Sequence, residues 1–202
     1  MPIKNVILDL GGVLYAINYG ITRNELEKLA ENPIEHIEFS REQQEEIFDL
    51  FDKGKITSQQ FRDGLRNSYK LKAEDHEINR AWNAMLLHVI PEALEIVKHL
   101  APKVRLVLLS NTNELHIAHI KDECRELFSH FEKLYYSYEM GMRKPNADIY
   151  EEVLKDRGFI ASETLFVDDA PANVEGAIAV GIRGYRIDDD HPLLNVLAMV
   201  GE

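Results

Sequence analysis

The sequence is short of cysteine, of positive charge and of long apolar runs. One cysteine, Cys124, among 202 residues excludes an internal disulfide and fits a reducing, cytoplasmic setting. No residue near it in sequence would activate it, so it reads as a structural thiol. No apolar stretch is long enough to cross a bilayer, and the N-terminus runs straight into "NVILDL" without the basic region and cleavage site of a secretory signal. A formal charge of −12 disfavours nucleic acid and anionic membrane surfaces as partners. An anionic substrate would therefore need a local cation. Internal repeats and low-complexity segments are also lacking.

What remains is an ordinary globular composition, 45% hydrophobic and 29% charged, long enough for one large domain or a core with a smaller insert. Four apolar, β-rich runs, "NVILDL", "VRLVLLS", "KLYYSY" and "TLFVDD", are each followed by a turn and a stretch of helical period. That alternation predicts an α/β fold with a parallel sheet covered on both faces. A weaker strand, "RGYRI", and an amphipathic "HPLLNVLAMV" complete the layer, with "DDDH" at 188–191 expected to open the last helix.

Between Ile17 and His88 no strand is expected. Four helical patterns fill the interval: "TRNELEKLAE", "SREQQEEIFDLFDKG", "TSQQFRDGLRNSYK" and "EDHEINRAWNAMLL". Gly54 suits a left-handed helix end, and Thr57 with Gln60 makes a capping box. The stripe Ile47, Phe48, Leu50 and Phe51 reads as the core of a small bundle, as do Trp82 and Met85, either of which could face a cleft. Pro91 suits the first turn of the helix that resumes the core.

In open parallel sheets the ligand sits beyond the carboxyl ends of the strands. Four strand ends bring polar groups to that edge: Asp9; Ser110 and Asn111; Lys144 in the loop after the third; and Asp168 with Asp169. Each alone has a plain structural reading, as a helix cap or a turn. Their order resembles the haloacid dehalogenase superfamily. "DLGGVL", "LLSNTN", "GMRKPNADIY" and "FVDDAPANVEGA" resemble its four motifs in sequence order, and the phrasing is most similar to bacterial sugar-phosphate phosphatases such as α-glucose-1-phosphatases. The resemblance implies a Rossmann-like core at 1–16 plus 89–202 and a helical cap at 17–88.

It further implies a Mg²⁺-dependent phosphomonoester hydrolase acting through an aspartyl-phosphate, on a small sugar phosphate, with sugar-1-phosphates favoured. Asp9 would be nucleophile and metal ligand; Gly11, through its carbonyl, Asp169 and Asp168 would complete the metal site. Ser110, Asn111 and Thr112 would hold the phosphate, Lys144 would balance the charge, and Asn173 would be a partner for that lysine. The substrate is the one partner implied, with a monomer or dimer as the assembly.

Gly11 departs from the common pattern of the family, in which the residue two after the nucleophile is a general acid and base worth about two to four powers of ten in rate. Three readings stay open. A phosphatase could take its acid from a cap side chain or water, or cleave an activated ester such as an anomeric phosphate; the sugar-1-phosphatases of the resemblance share the glycine. A 2-haloacid dehalogenase also lacks that acid, but has no use for the paired acids of "VDDAP". A non-catalytic binding or regulatory protein is the third. His116, His119 and Glu123 have a possible metal-ligand spacing but read as a solvated helix face, and Tyr15, Ala16 and Asn18 are expected to line the cleft entrance.

Overall fold

The computed structural model describes residues 2–32 and 46–200. Seven strands are present among them: β1 (Asn5–Leu8), β2 (Tyr15–Ile17), β3 (Leu86–Val89), β4 (Arg105–Ser110), β5 (Lys133–Tyr136), β6 (Thr164–Asp168) and β7 (Arg183–Arg186). Five form a parallel sheet in the order β5-β4-β1-β6-β7. β1 is central, with Leu8 level with both Leu108 and Val167, so Asp9, Ser110 and Asp168 emerge side by side at one edge.

Alternation along the strands divides the core into two layers. Val6, Leu8, Leu106, Leu108, Leu165 and Val167 pack with the helix Ala93–Leu100, whose buried face is Ile96, Val97 and Leu100. Ile7, Val107, Leu109 and Phe166 face the other way, onto Tyr150 and Val153 of the helix Ala147–Arg157 and Ala177 of the helix Pro171–Ala179. Both faces are dry, which is why these strands carry near-continuous apolar runs.

A third cluster is separate. Leu26, Phe48, Phe51, Phe61, Leu65, Ile78 and Trp82 come from the helices Tyr19–Lys28, Glu46–Asp52, Ser58–Tyr69 and Asp75–Asn83 and pack on one another, with Met85 just beyond the last of them. Phe61 is stacked on Phe51 at 4.1 Å and lies edge-on to Trp82 at 4.8 Å. The capping box is formed: Thr57 accepts from the Gln60 N–H, and Gln60 accepts from the Thr57 N–H. Gly54 has φ +61°, and a Cβ there would meet the Tyr138 carbonyl at 2.2 Å, so this turn is pressed directly onto the core.

Several expectations need correction. Residues 86–89 are a strand, not the tail of a helix, and β3 pairs antiparallel with β2. Pro91 lies in a turn ahead of the helix, which begins at Ala93. Asp188 accepts from the N–H groups of Asp190 and His191 in a tight turn, and the last helix starts only at Asn195. Leu50 is half-buried and outside the bundle core, unlike Phe48 and Phe51. The first part of "SREQQEEIFDLFDKG" lies outside the described residues. Among the described residues no helix is long and apolar enough to cross a membrane.

Candidate active site

The sheet edge opens into a cavity of about 690 Å³ whose floor is formed by the strand ends and whose far wall comes from the helical layer. At its base lies Lys144, 1% exposed, with Nζ 2.7 Å from Asp9 Oδ1 and 2.6 Å from Asp168 Oδ2. Asn111 holds this lysine in place: its side-chain oxygen accepts from the Lys144 N–H and its amide donates to the Lys144 carbonyl, both at 2.9 Å. Gly176 allows the Lys144–Pro145 loop to sit on the helix Pro171–Ala179, since a Cβ there would meet the Pro145 carbonyl at 2.4 Å.

Asp168 is fully engaged. Besides Lys144 it accepts from the Ala170 N–H at 2.8 Å and from the Asn173 amide at 3.0 and 3.1 Å. Asn173 therefore steadies Asp168, and reaches the lysine only through that carboxylate. Asp9, Asp168 and Asp169 each offer an oxygen, and the three oxygens lie within 4.8 Å of one another. Burial pushes the Asp9 carboxyl up to about 7; Lys144 opposes this, while Asp168 and Asp169 reinforce it. Burial also works against the Lys144 ammonium, yet Asp168 and Asp9 outweigh it and raise its pKa. Three carboxyls for one ammonium leave surplus negative charge, and hard oxygen donors converging on one point are what a small divalent cation takes.

Of the remaining expected residues, Gly11, Ser110, Asn111 and Thr112 all line the cavity. The Thr112 N–H is already bonded to Ser137 Oγ at 2.9 Å, so Thr112 has only its side chain to offer a phosphate. Tyr15 lines the cavity, its hydroxyl donating to Glu123 at 2.7 Å. Ala16 and Asn18 are not in the lining; Asn18 instead caps the helix Tyr19–Lys28.

The wall is where the sequence was least informative. His116 is buried, not solvated: its ring stacks on Trp82 at 4.9 Å and its Nδ1 lies 2.8 Å from Asn83 Oδ1. Burial, with a smaller contribution from His119, pushes its pKa down to about 3, so the ring is neutral. His119 and Glu123 are exposed as expected. Asn113, wholly buried, accepts from the Trp82 indole N–H at 3.3 Å and the His116 N–H at 3.1 Å, and donates to Asp52 Oδ1 at 3.1 Å. Asp52 is itself 7% exposed, and its backbone carbonyl accepts from Ser137 Oγ at 2.6 Å. Beside it Asp49 binds Lys53 at 2.8 Å and Arg143 at 2.9 Å. The one available signal was "FDKG", where Gly54 forces the Asp52 segment against the core.

A parallel sheet of this order, with acids ending β1 and β6, a serine ending β4 and a buried lysine between them, defines a hydrolase fold. The family model for haloacid dehalogenase-like hydrolases matches residues 3–181, and the chain belongs to that family. Among known proteins it is similar to the D-ribitol-5-phosphate phosphatase of Bacteroides thetaiotaomicron, 29% identical over 189 residues that span 91% of each chain. A HAD family enzyme of the same species, crystallised with magnesium and inorganic phosphate, superposes with a TM-score of 0.85 at 32% identity, covering 96% of this chain and 98% of that one. A HAD-like hydrolase of Porphyromonas gingivalis gives 0.87 at 29% identity, covering 100% and 99%. The phosphatase expected from the four motifs is thus the class to which the named relative belongs.

Proposed function

We propose that this hydrolase cleaves a small sugar or polyol phosphate monoester through an aspartyl-phosphate on Asp9, with Mg²⁺ held by Asp9, Asp169 and the Gly11 carbonyl, and with 17–88 as a cap over the core 1–16 plus 89–202. The observation that carries this reading is the buried Lys144 bridging Asp9 and Asp168, with Asp169 close enough to share an ion. A bound magnesium would supply a Lewis acid that offsets the charge of both nucleophile and phosphate. Lys144 keeps Asp9 oriented and neutralises part of the equatorial charge as phosphorus is transferred. Ser110 holds a phosphoryl oxygen, and Asp168 with Asn173 fixes the ammonium in place. Closure of the wall over the floor keeps bulk water from the reacting atoms.

The sugar or polyol assignment is supported by the ribitol-phosphate relative and by a wall of hydrogen-bonding groups among aromatics. An anomeric phosphate leaves as a hemiacetal oxygen and is the easiest ester to cleave in a site where position 11 has no side chain. Purified protein incubated with sugar-1-phosphates, sugar-6-phosphates and pentitol 5-phosphates, with and without Mg²⁺, is expected to release phosphate only with the metal, and fastest from the anomeric esters. A flat or reversed ranking would remove the anomeric preference. Chloride released from 2-chloropropionate, with no phosphate from any ester, would replace the reading by dehalogenation.

A further inference from the structure

Gly11 leaves the departing oxygen without a proton donor on the strand that carries the nucleophile. Outside the floor cluster, the carboxyls and imidazoles that line the cavity among the described residues are Asp49, Asp52, Glu175 and His116. Asp49 is held as a carboxylate by Lys53 and Arg143, whose hydrogen bonds overcome the effect of its partial burial and lower its pKa. Glu175 is exposed to bulk water on the helix Pro171–Ala179. His116 is a neutral ring whose Nδ1 is directed at Asn83, with no spare proton to release at neutral pH.

Asp52 differs from all three. Burial holds its carboxyl in the acid form to a higher pH than usual, with Asp49 adding to the effect and Arg143 and Asn113 only moderating it. Its backbone is tied through Ser137 to Thr112, two residues beyond Ser110 on the segment that leaves the floor. One side-chain oxygen is fixed by Asn113. The turn at Gly54, pressed on Tyr138, sets the end of its helix against the core. A buried, anchored carboxyl thus faces the same cavity as Asp9.

Resting on the phosphatase reading above, we infer that Asp52 is the general acid and base of this enzyme, supplied from the helical layer in place of the missing side chain at position 11. In the first step an Asp9 oxygen bonds to phosphorus, the ester P–O bond breaks, and the departing alkoxide takes the Asp52 proton. The products are the alcohol, an aspartyl-phosphate and an ionised Asp52. In the second step Asp52 takes a proton from water as that oxygen bonds to phosphorus. The Asp9–phosphorus bond breaks, inorganic phosphate leaves, and both carboxyls return to their starting forms. The consequence for specificity is reach: primary alcohols, poor leaving groups on their own, become accessible.

The test compares leaving groups in single-turnover experiments with Mg²⁺ present. Nitrophenolate leaves p-nitrophenyl phosphate without a proton, whereas the alcohol of a pentitol 5-phosphate requires one. Asp52→Asn, nearly isosteric and still able to accept from Asn113, is expected to slow pentitol release about 100- to 1000-fold. Its nitrophenolate burst slows less than about tenfold, and an aspartyl-phosphate then accumulates because water lacks its base. Adding Gly11→Asp to Asp52→Asn is expected to restore part of the pentitol rate, since a Cβ at position 11 meets only the flexible end of Ile17, at 3.2 Å. Equal slowing of both leaving groups, or no slowing of pentitol release, overturns the assignment while leaving the phosphatase reading intact. A wild-type protein inert toward both esters overturns the two together.

Discussion

The floor and the wall of the cavity solve the problem of buried polarity in opposite ways. On the floor, Asp9 and Asp168 hold Lys144 between them and Asp169 lies close to both acids, so charge is set against charge and an excess of negative charge remains. On the wall, Asn113, Trp82 and His116 are joined as neutral hydrogen-bonding groups, and Asp52 is hydrogen-bonded to Asn113. A network of neutral groups needs no ion to balance it, because its hydrogen bonds carry no net charge. A surplus of carboxylates does call for one. The floor can therefore take a small cation, and under the proposed function the wall would face the organic half of the substrate.

That contrast can be broken most severely at Asp9. Asp9→Asn is expected to lower Mg²⁺-dependent phosphate release below about a ten-thousandth of the wild-type rate while the far-ultraviolet circular dichroism is unchanged. Residual turnover above that level would mean another nucleophile. Next comes Lys144→Met, which leaves two buried carboxylates without their cation. In metal-free protein the unfolding free energy from urea titration should fall by about 3 to 5 kcal/mol, and added Mg²⁺ should recover more stability in the variant than in wild type.

Asn113→Ala tests the wall. It strips a helix cap and leaves the Trp82 N–H and the Asp52 carboxyl short of a partner, for an expected loss of about 2 to 3 kcal/mol in the same titration. The stability gained from Mg²⁺ should be the same as in wild type; if it shrinks, floor and wall are not independent. The smallest effect is that of pH on His116. Its folded pKa, near 3, lies below the ordinary 6.5, so the unfolded chain binds the extra proton and stability is lost as pH falls from 6.5 toward 3. The loss is at most about 1.4 kcal/mol per pH unit, or about 2 kcal/mol between pH 6.5 and 5. The melting temperature of His116→Phe should fall by less than that of wild type over the same interval.

The acids and the serine of the floor were legible in the sequence because each stands at the end of an apolar strand, and a strand end fixes where the next side chain points. Asp9, Ser110 and Asp168 come together for no subtler reason than the register of β1, β4 and β6. The wall was not legible because its members come from separate segments, the helix Glu46–Asp52, the end of the helix Asp75–Asn83, and the turn after β4 with the helix Glu114–Ile120 that follows it. Nothing local in "NELHIAHIKDE" shows that His116 lies under Trp82. The ribbon of β2 and β3 was missed for a different reason: its strands are three and four residues long and half-exposed, too short for a period of two to stand out against flanking helices. Asp188 misled because an acid that caps a helix and an acid that closes a turn look the same in sequence.

The ribbon carries one last consequence. The chain leaves the sheet layer along β2 and returns along β3, with Tyr15 level with Val89 and Ala16 with His88, and Glu123 accepts from both the Tyr15 hydroxyl and the Val89 N–H. Departure and return are thus stapled to each other before the intervening segment begins. The two ends of the inserted segment are held in register by the ribbon itself, whatever the length or shape of the chain between those rungs.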